Sequence, residues 1–142
     1  MHYSLIVALP PGTDEVESTI ERLMEPFRED YDEATDEYKG WWDWYQLGGR
    51  WTGLFDDYKP RLDPRNIETS TQWAKHAGDI ARWGDVKATL EVSNVYRVMV
   101  GEEMASTEHW DGQDFIKHPE DVPALLARIP DDLVVAVVDY HS

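Results

Sequence analysis

One segment constrains the fold of this chain more than any other: residues 133–141, "LVVAVVDYH". Six apolar residues in a row precede Asp139, without polar alternation and without the length of a membrane span. Such a run belongs in the centre of a sheet, where strands pair on both edges and little of the backbone meets water. A second run, "YSLIVAL" at 3–9, ends at Pro10-Pro11-Gly12 and reads as a first strand followed by a turn. Its flanks carry neither a basic leader nor a small-residue cleavage pattern, so it is taken as a strand rather than a signal peptide.

Helical spacing appears between these ends. Val16, Ile20, Leu23 and Phe27 recur at three- and four-residue steps. Thr13 or Asp14 can cap this helix; with Asp14 as cap, Glu17 three residues on comes close to a capping box, and Pro26 marks the end or a kink. Thr69 or Ser70 can cap a second helix, with Trp73, Ala77 and Ile80 on one face and Gly84 at its end. A third helix is expected over 119–129, with Val122, Leu125, Leu126 and Ile129 inward and Pro130 after it. "VYRVMV" at 95–100 and "EMASTEHW" at 103–110 read as a hairpin about Gly101-Glu102. "WWDWYQLGGRW" alternates as a strand, placing Trp42, Trp44 and Gln46 on one face and Asp43, Tyr45 and Leu47 on the other. Residues 54–68 read as a loop.

The order strand, helix, strand, helix, hairpin, helix, strand predicts an α+β fold in a single domain over 1–142. The expected architecture is a two-layer sandwich: one mainly antiparallel sheet with helices on one face, ferredoxin-like with an inserted helix. No internal repeat recurs at a fixed period.

Charge and cysteine content narrow the function. With 29 acidic residues, 13 Lys and Arg and no Cys, the formal charge is −16 and thiolate chemistry is excluded. Direct binding to nucleic acid or to an anionic membrane is disfavoured on electrostatic grounds. Basic proteins, cations or no particular partner remain compatible with this charge. Residues 14–38 hold eleven Asp and Glu against Arg22 and Arg28. Within them, 29–38 has no periodicity and reads as a solvated acidic segment, usable as a docking face. The acid is too concentrated there for wide-surface imitation of DNA phosphates.

Four of seven tryptophans fall in 41–51, around Gly48-Gly49-Arg50. Two readings compete. In the first, the glycines let backbone N–H groups form an anion nest, and the Arg50 fork beside Trp44, Tyr45 and Trp51 clamps a phosphate or carboxylate. In the second, Arg50 pairs internally with Asp43 or Asp139, and the tryptophans are core. Asp139 and His141 lie two apart on a strand and point the same way. With His2 or His109 they are candidates for an acid/base pair or a metal site, although spacing supplies no third zinc ligand. The carboxylates Glu102, Glu103, Glu108, Asp111 and Asp114 suit a polar turn as well as acid/base work. No nucleotide loop, dinucleotide fingerprint, nucleophile elbow or His-Glu-x-x-His motif occurs, and no cofactor is assigned.

The block "WDWYQLGGRWTG", the mid-chain hairpin Tyr96–Trp110 and the closing strand ending in Asp139 and His141 resemble a family of small uncharacterised proteins from bacteriophages and bacteria. The hairpin here has fewer aromatics than that pattern, and the last residue is Ser142 rather than apolar. The resemblance implies a phage or prophage setting, hence the host cytoplasm, and a single-domain fold. It carries no activity.

Two classes of function follow. One is a phage-encoded accessory protein that binds a host protein or small ligand through the acidic face and the Trp/Arg motif. The other is a small enzyme on a nucleotide-like or phosphoester substrate, with Arg50 holding the anion and Asp139 and His141 moving the proton. A homodimer through the sheet fits either class.

Overall fold

A computed structural model describes residues 1–55 and 78–142. In chain order the elements are β1 (His2–Ala8), α1 (Val16–Met24), β2 (Asp30–Asp32), β3 (Glu37–Lys39), β4 (Trp44–Leu47), β5 (Ile80–Arg82) and α2 (Trp83–Val86). They continue with β6 (Arg97–Val100), β7 (Glu103–Ser106), β8 (Glu108–Trp110), β9 (Phe115–Lys117), α3 (Asp121–Leu126) and β10 (Val134–His141).

β10 is the hub of the main sheet. Its whole length pairs antiparallel with β1, from His2 opposite His141 to Ala8 opposite Val135. Its other edge is shared: β4 covers Val138 to His141 and β5 covers Val134 to Ala136. Val137 is the seam between them. Its carbonyl accepts from Gly48 N–H at 2.8 Å, and its own N–H donates to the Asp79 carbonyl at 2.9 Å. β6 runs parallel to the far edge of β1, and β7 closes the sheet antiparallel to β6. The α+β class and the mainly antiparallel sheet are as expected.

The finer topology differs. The order β4–β10–β1–β6–β7 places β6 parallel beside β1, whereas a ferredoxin-like sheet alternates direction throughout. Nor do the helices share a face. Leu5, Val7, Ala136 and Val138 pack with Val16, Ile20 and Met24 of α1. Ile6, Ala8, Val135 and Val137 pack with Val86 of α2 and with Val122, Leu125 and Leu126 of α3. The arrangement is three-layered at its centre. This is why β1 and β10 lack polar alternation: both parities meet a core.

Local chemistry accounts for the other departures. α1 starts at Val16 with Glu15 in the cap position and no side-chain cap, one residue after the expected box. Pro26 ends it in a 3-10 turn, Glu25–Phe27. The acidic segment is a small hairpin in which Tyr31 faces Tyr38, with ring centroids 5.0 Å apart. Of the second expected helix, Trp73, Ala77 and its cap lie outside the described residues, as does most of the 54–68 loop. Ile80 is in β5 and Gly84 lies inside α2, because pairing along the free edge of β10 outweighs helical spacing. The hairpin about Gly101 forms, but β7 stops at Ser106, whose hydroxyl donates to the Glu108 carbonyl at 2.8 Å. A second hairpin, β8–β9, then turns at Asp111, whose Oδ1 accepts from Gln113 and Asp114 N–H, both at 2.8 Å. α3 is shorter than expected, yet Val122, Leu125, Leu126 and Ile129 are buried as read from sequence.

Leu5 and Ile6 are adjacent, fully buried and on opposite faces. Leu5→Ala and Ile6→Ala should each cost about 2–5 kcal/mol in urea unfolding. A sheet covered on one face only would leave one of the two nearly silent.

Candidate functional site

At the end of the sheet where β1 begins and β10 finishes, alternation divides the side chains between two faces. His2, Ser4, Asp139 and His141 share one face. Tyr3, Tyr45 and Tyr140 share the other.

On the first face Asp139 is the anchor, at 1% exposure. Its Oδ1 lies 2.7 Å from His2 Nδ1, and its Oδ2 accepts the Arg50 backbone N–H at 2.9 Å. Gly49, at φ +57°, rests so close that a Cβ would stand 2.5 Å from Gln46 Nε2 and 2.6 Å from Asp139 Oδ2. At Gly48, with φ +72°, a Cβ would collide with the buried Asp79 carboxylate. The double glycine therefore lets the chain turn against two buried carboxylates. Arg50 does hold Asp139, but through its main chain; its side chain is exposed and reaches neither Asp43 nor Asp139. Asp43 Oδ1 instead lies 2.8 Å from His141 Nδ1. The His2 and His141 rings meet edge-on with centroids 5.5 Å apart.

The residues of the Trp/Arg motif do not converge. Trp44 is exposed beside His2 on the first face, at 5.6 Å between centroids, and Tyr45 is on the other. Trp51 packs on the core beneath α2 and α3. Trp42 is buried, with Nε1 donating to the Met24 carbonyl at 2.8 Å. It contacts Tyr45 rather than sharing a face with Trp44, because the strand begins only at Trp44. Asp139 and His141 do point the same way, as their spacing requires, and His2 joins Asp139. His109 lies elsewhere, with Nδ1 2.9 Å from His118 Nε2. Among the described residues no three His, Asp or Glu converge on a metal position.

The second face carries a feature that sequence reading missed. Tyr3 is flanked by Tyr96 at 4.4 Å and Tyr140 at 5.3 Å, and Trp41 meets Tyr140 edge-on at 4.7 Å. The Arg97 guanidinium lies 4.3 Å above the Trp41 ring, and its Nε donates to the Tyr140 hydroxyl at 3.1 Å. Tyr96 donates to Glu108 Oε1 at 3.3 Å. These groups floor a cleft of about 430 Å³, within the usual size range of ligand sites. Tyr38 of the β2–β3 hairpin and Trp110 and Phe115 of the β8–β9 hairpin also line it. They are 81%, 57% and 57% exposed: Tyr38 packs on Tyr31 and Trp110 on Phe115 within their hairpins, and none of the three enters a core. Gly40, at φ +82°, lets β3 enter the cleft wall; a Cβ there would strike the Phe27 and Arg28 carbonyls.

Burial pushes the Tyr140 hydroxyl up to about 12, opposed by the adjacent Arg97 cation. Burial, then Glu108, raises Tyr96 further still. Both phenols are neutral at ordinary pH; Tyr96 donates to Glu108, and Tyr140 accepts from Arg97. The signal available in the sequence was an aromatic at the outer end of β1 and of β10, at the parity of Leu5 and Val138: Tyr3 and Tyr140; Tyr96 precedes β6, and Arg97 rather than Tyr96 stands beside Leu5.

No protein-family model matches this chain, no curated protein matches it, and no solved structure matches it.

Arg50→Lys should leave unfolding free energy within about 0.5 kcal/mol of the parent, since the side chain is exposed and the N–H bond survives. Gly49→Ala should cost about 3 kcal/mol, from strain and collision together. A large loss in the lysine variant would show that the guanidinium is structural. In alkaline titration, the stability contributed by a neutral, buried Tyr140 is complete below pH 10.0 and disappears as pH rises toward about 12. Tyr140→Phe should flatten that fall, read as unfolding midpoint against pH.

Proposed function

We propose that this protein is a non-catalytic accessory protein that captures part of a partner molecule in the aromatic cleft, next to an acidic hairpin. One observation carries this reading: Tyr38, Trp110 and Phe115, all heavily exposed, line a cleft whose floor is already built from stacked rings. Exposed rings cost solubility unless a ligand covers them. The acid of β2–β3 favours a cationic partner surface and speeds encounter with it. The resemblance of the Trp-rich block adds a phage or prophage origin, with a host protein as the partner and the host cytoplasm as the setting.

A second reading, a small enzyme, rests on the His2–Asp139 pair at 2.7 Å, in which a buried carboxylate orients an imidazole. That pair and His141 sit on the opposite face from the cleft, and the Arg50 guanidinium makes no contact with them. The first reading uses more of the unexplained surface.

Indole, a small apolar probe, separates the two readings. Its titration should shift the indole N–H resonances of Trp41 and Trp110 and leave Trp44 unmoved. Trp110→Ala/Phe115→Ala should fold normally, because both rings are exposed, and lose the response. A response at Trp44 and His2, with none at Trp110, would favour the enzyme.

A further inference from the structure

We infer that His2 and His141 bind one divalent transition-metal ion of the zinc, nickel and copper class through their Nε2 atoms, with water in its other positions. The site lies on the sheet face opposite the aromatic cleft and does not depend on the capture reading.

The first argument is which ring nitrogen is free. His2 Nδ1 stands 2.7 Å from Asp139 Oδ1, and His141 Nδ1 stands 2.8 Å from Asp43 Oδ1. A carboxylate on Nδ1 keeps the proton there, so each Nε2 presents a lone pair. Among the described residues neither Nε2 has a hydrogen-bond partner. A histidine that ligates a metal almost always gives its other ring N–H to a carboxylate, a carbonyl or water. Here two neighbouring histidines both give theirs to a carboxylate. Asp139 is itself fixed, buried and holding the Arg50 N–H at 2.9 Å. The His109–His118 pair differs: its facing nitrogens, 2.9 Å apart, are already spent on each other.

The second argument is separation. His2 and His141 are directly opposed on β1 and β10 and project from the same face. Their ring centroids lie 5.5 Å apart. Two imidazoles on one tetrahedral ion, with metal–nitrogen bonds of about 2.0 Å, place their centroids about 5.2 Å apart, and a trigonal angle opens this to about 5.5 Å. The strands thus already hold the rings at the spacing that one ion requires. Both side chains are within reach of solvent, at 25% and 40% exposure.

The third argument is charge and ligand type. A dication balances the Asp139 and Asp43 carboxylates behind the rings, whereas an anion would face both of them. The net charge of −16 concentrates cations near the chain. Imidazole nitrogen suits zinc, nickel and copper; magnesium and calcium take oxygen. No third His, Asp or Glu converges there among the described residues, so the ion keeps open positions and exchanges. Trp44, 5.6 Å from His2, walls one side with an apolar ring and serves as a reporter. Asp139 and Asp43 are positioning residues: they act through the imidazoles.

The test uses the full chain, with zinc followed by calorimetry and nickel followed by paramagnetic broadening of the indole N–H resonances. The expected result is saturable binding of one zinc, with no response to magnesium. Nickel should broaden Trp44 first and leave Trp110 sharp. His141→Gln, with an unchanged melting temperature, should weaken zinc at least tenfold. Asp43→Ala should weaken it about tenfold through the imidazole alone. If His141→Gln melts lower than the parent, Asp43→Ala, at an exposed position, decides the matter. His109→Gln/His118→Gln should bind as the parent does. Zinc affinity unchanged in Asp43→Ala, or lost in the His109/His118 double variant, overturns the proposal. So does the absence of any zinc heat at millimolar concentration, or broadening of Trp110 ahead of Trp44.

Discussion

The pairing of β1 with β10 in one register is the constraint on which the rest depends. It sets His2 opposite His141 and Tyr3 opposite Tyr140. Because side chains alternate, a slip of one residue would exchange the faces. Asp139 would then turn toward the α1 core and Tyr140 toward α3. The register is held from both sides by apolar residues of each parity, and at its end by the buried Asp139 carboxylate with His2 and the Arg50 N–H. Burying a carboxylate is costly unless it is hydrogen-bonded, so only one arrangement satisfies it.

The Gly-Gly-Arg turn follows from that constraint. It brings β4 to one half of β10 while the chain returns through Asp79 and β5 to cover the other half. Each glycine makes room for a buried carboxylate. The tryptophans around it go to separate destinations: Trp42 and Trp51 to two cores, Trp44 to solvent and Trp41 to the cleft floor. A motif that is continuous in sequence is thus divided among four environments. It is mainly a folding device, with Trp41 as its contribution to the aromatic cleft.

The cleft is assembled from segments far apart in the chain. Tyr3, Trp41, Arg97 and Tyr140 meet because three central strands and the turn before β4 end together. The two small hairpins add rings that the core does not need. Arg97 is the telling residue: a half-buried cation resting on rings, with its charge-bearing fork turned toward a cleft whose surroundings are acidic.

The sequence alone determined the central strands, the inward faces of α1 and α3, the hairpin at Gly101 and the shared direction of Asp139 and His141. Each of these is a matter of local period, and periodicity is a property of the chain. It did not determine which strands neighbour one another, that both sheet faces are covered, or that Ile80 leaves a helical pattern to pair with β10. Those depend on contacts between distant residues, for which one sequence carries no distance information. The same holds for function. Arg50 drew attention because it sits among tryptophans in the sequence, whereas Arg97 rests on Trp41 and Tyr140 in space. Only the tertiary structure brought Tyr96, Tyr3, Tyr140 and Arg97 together in one cleft.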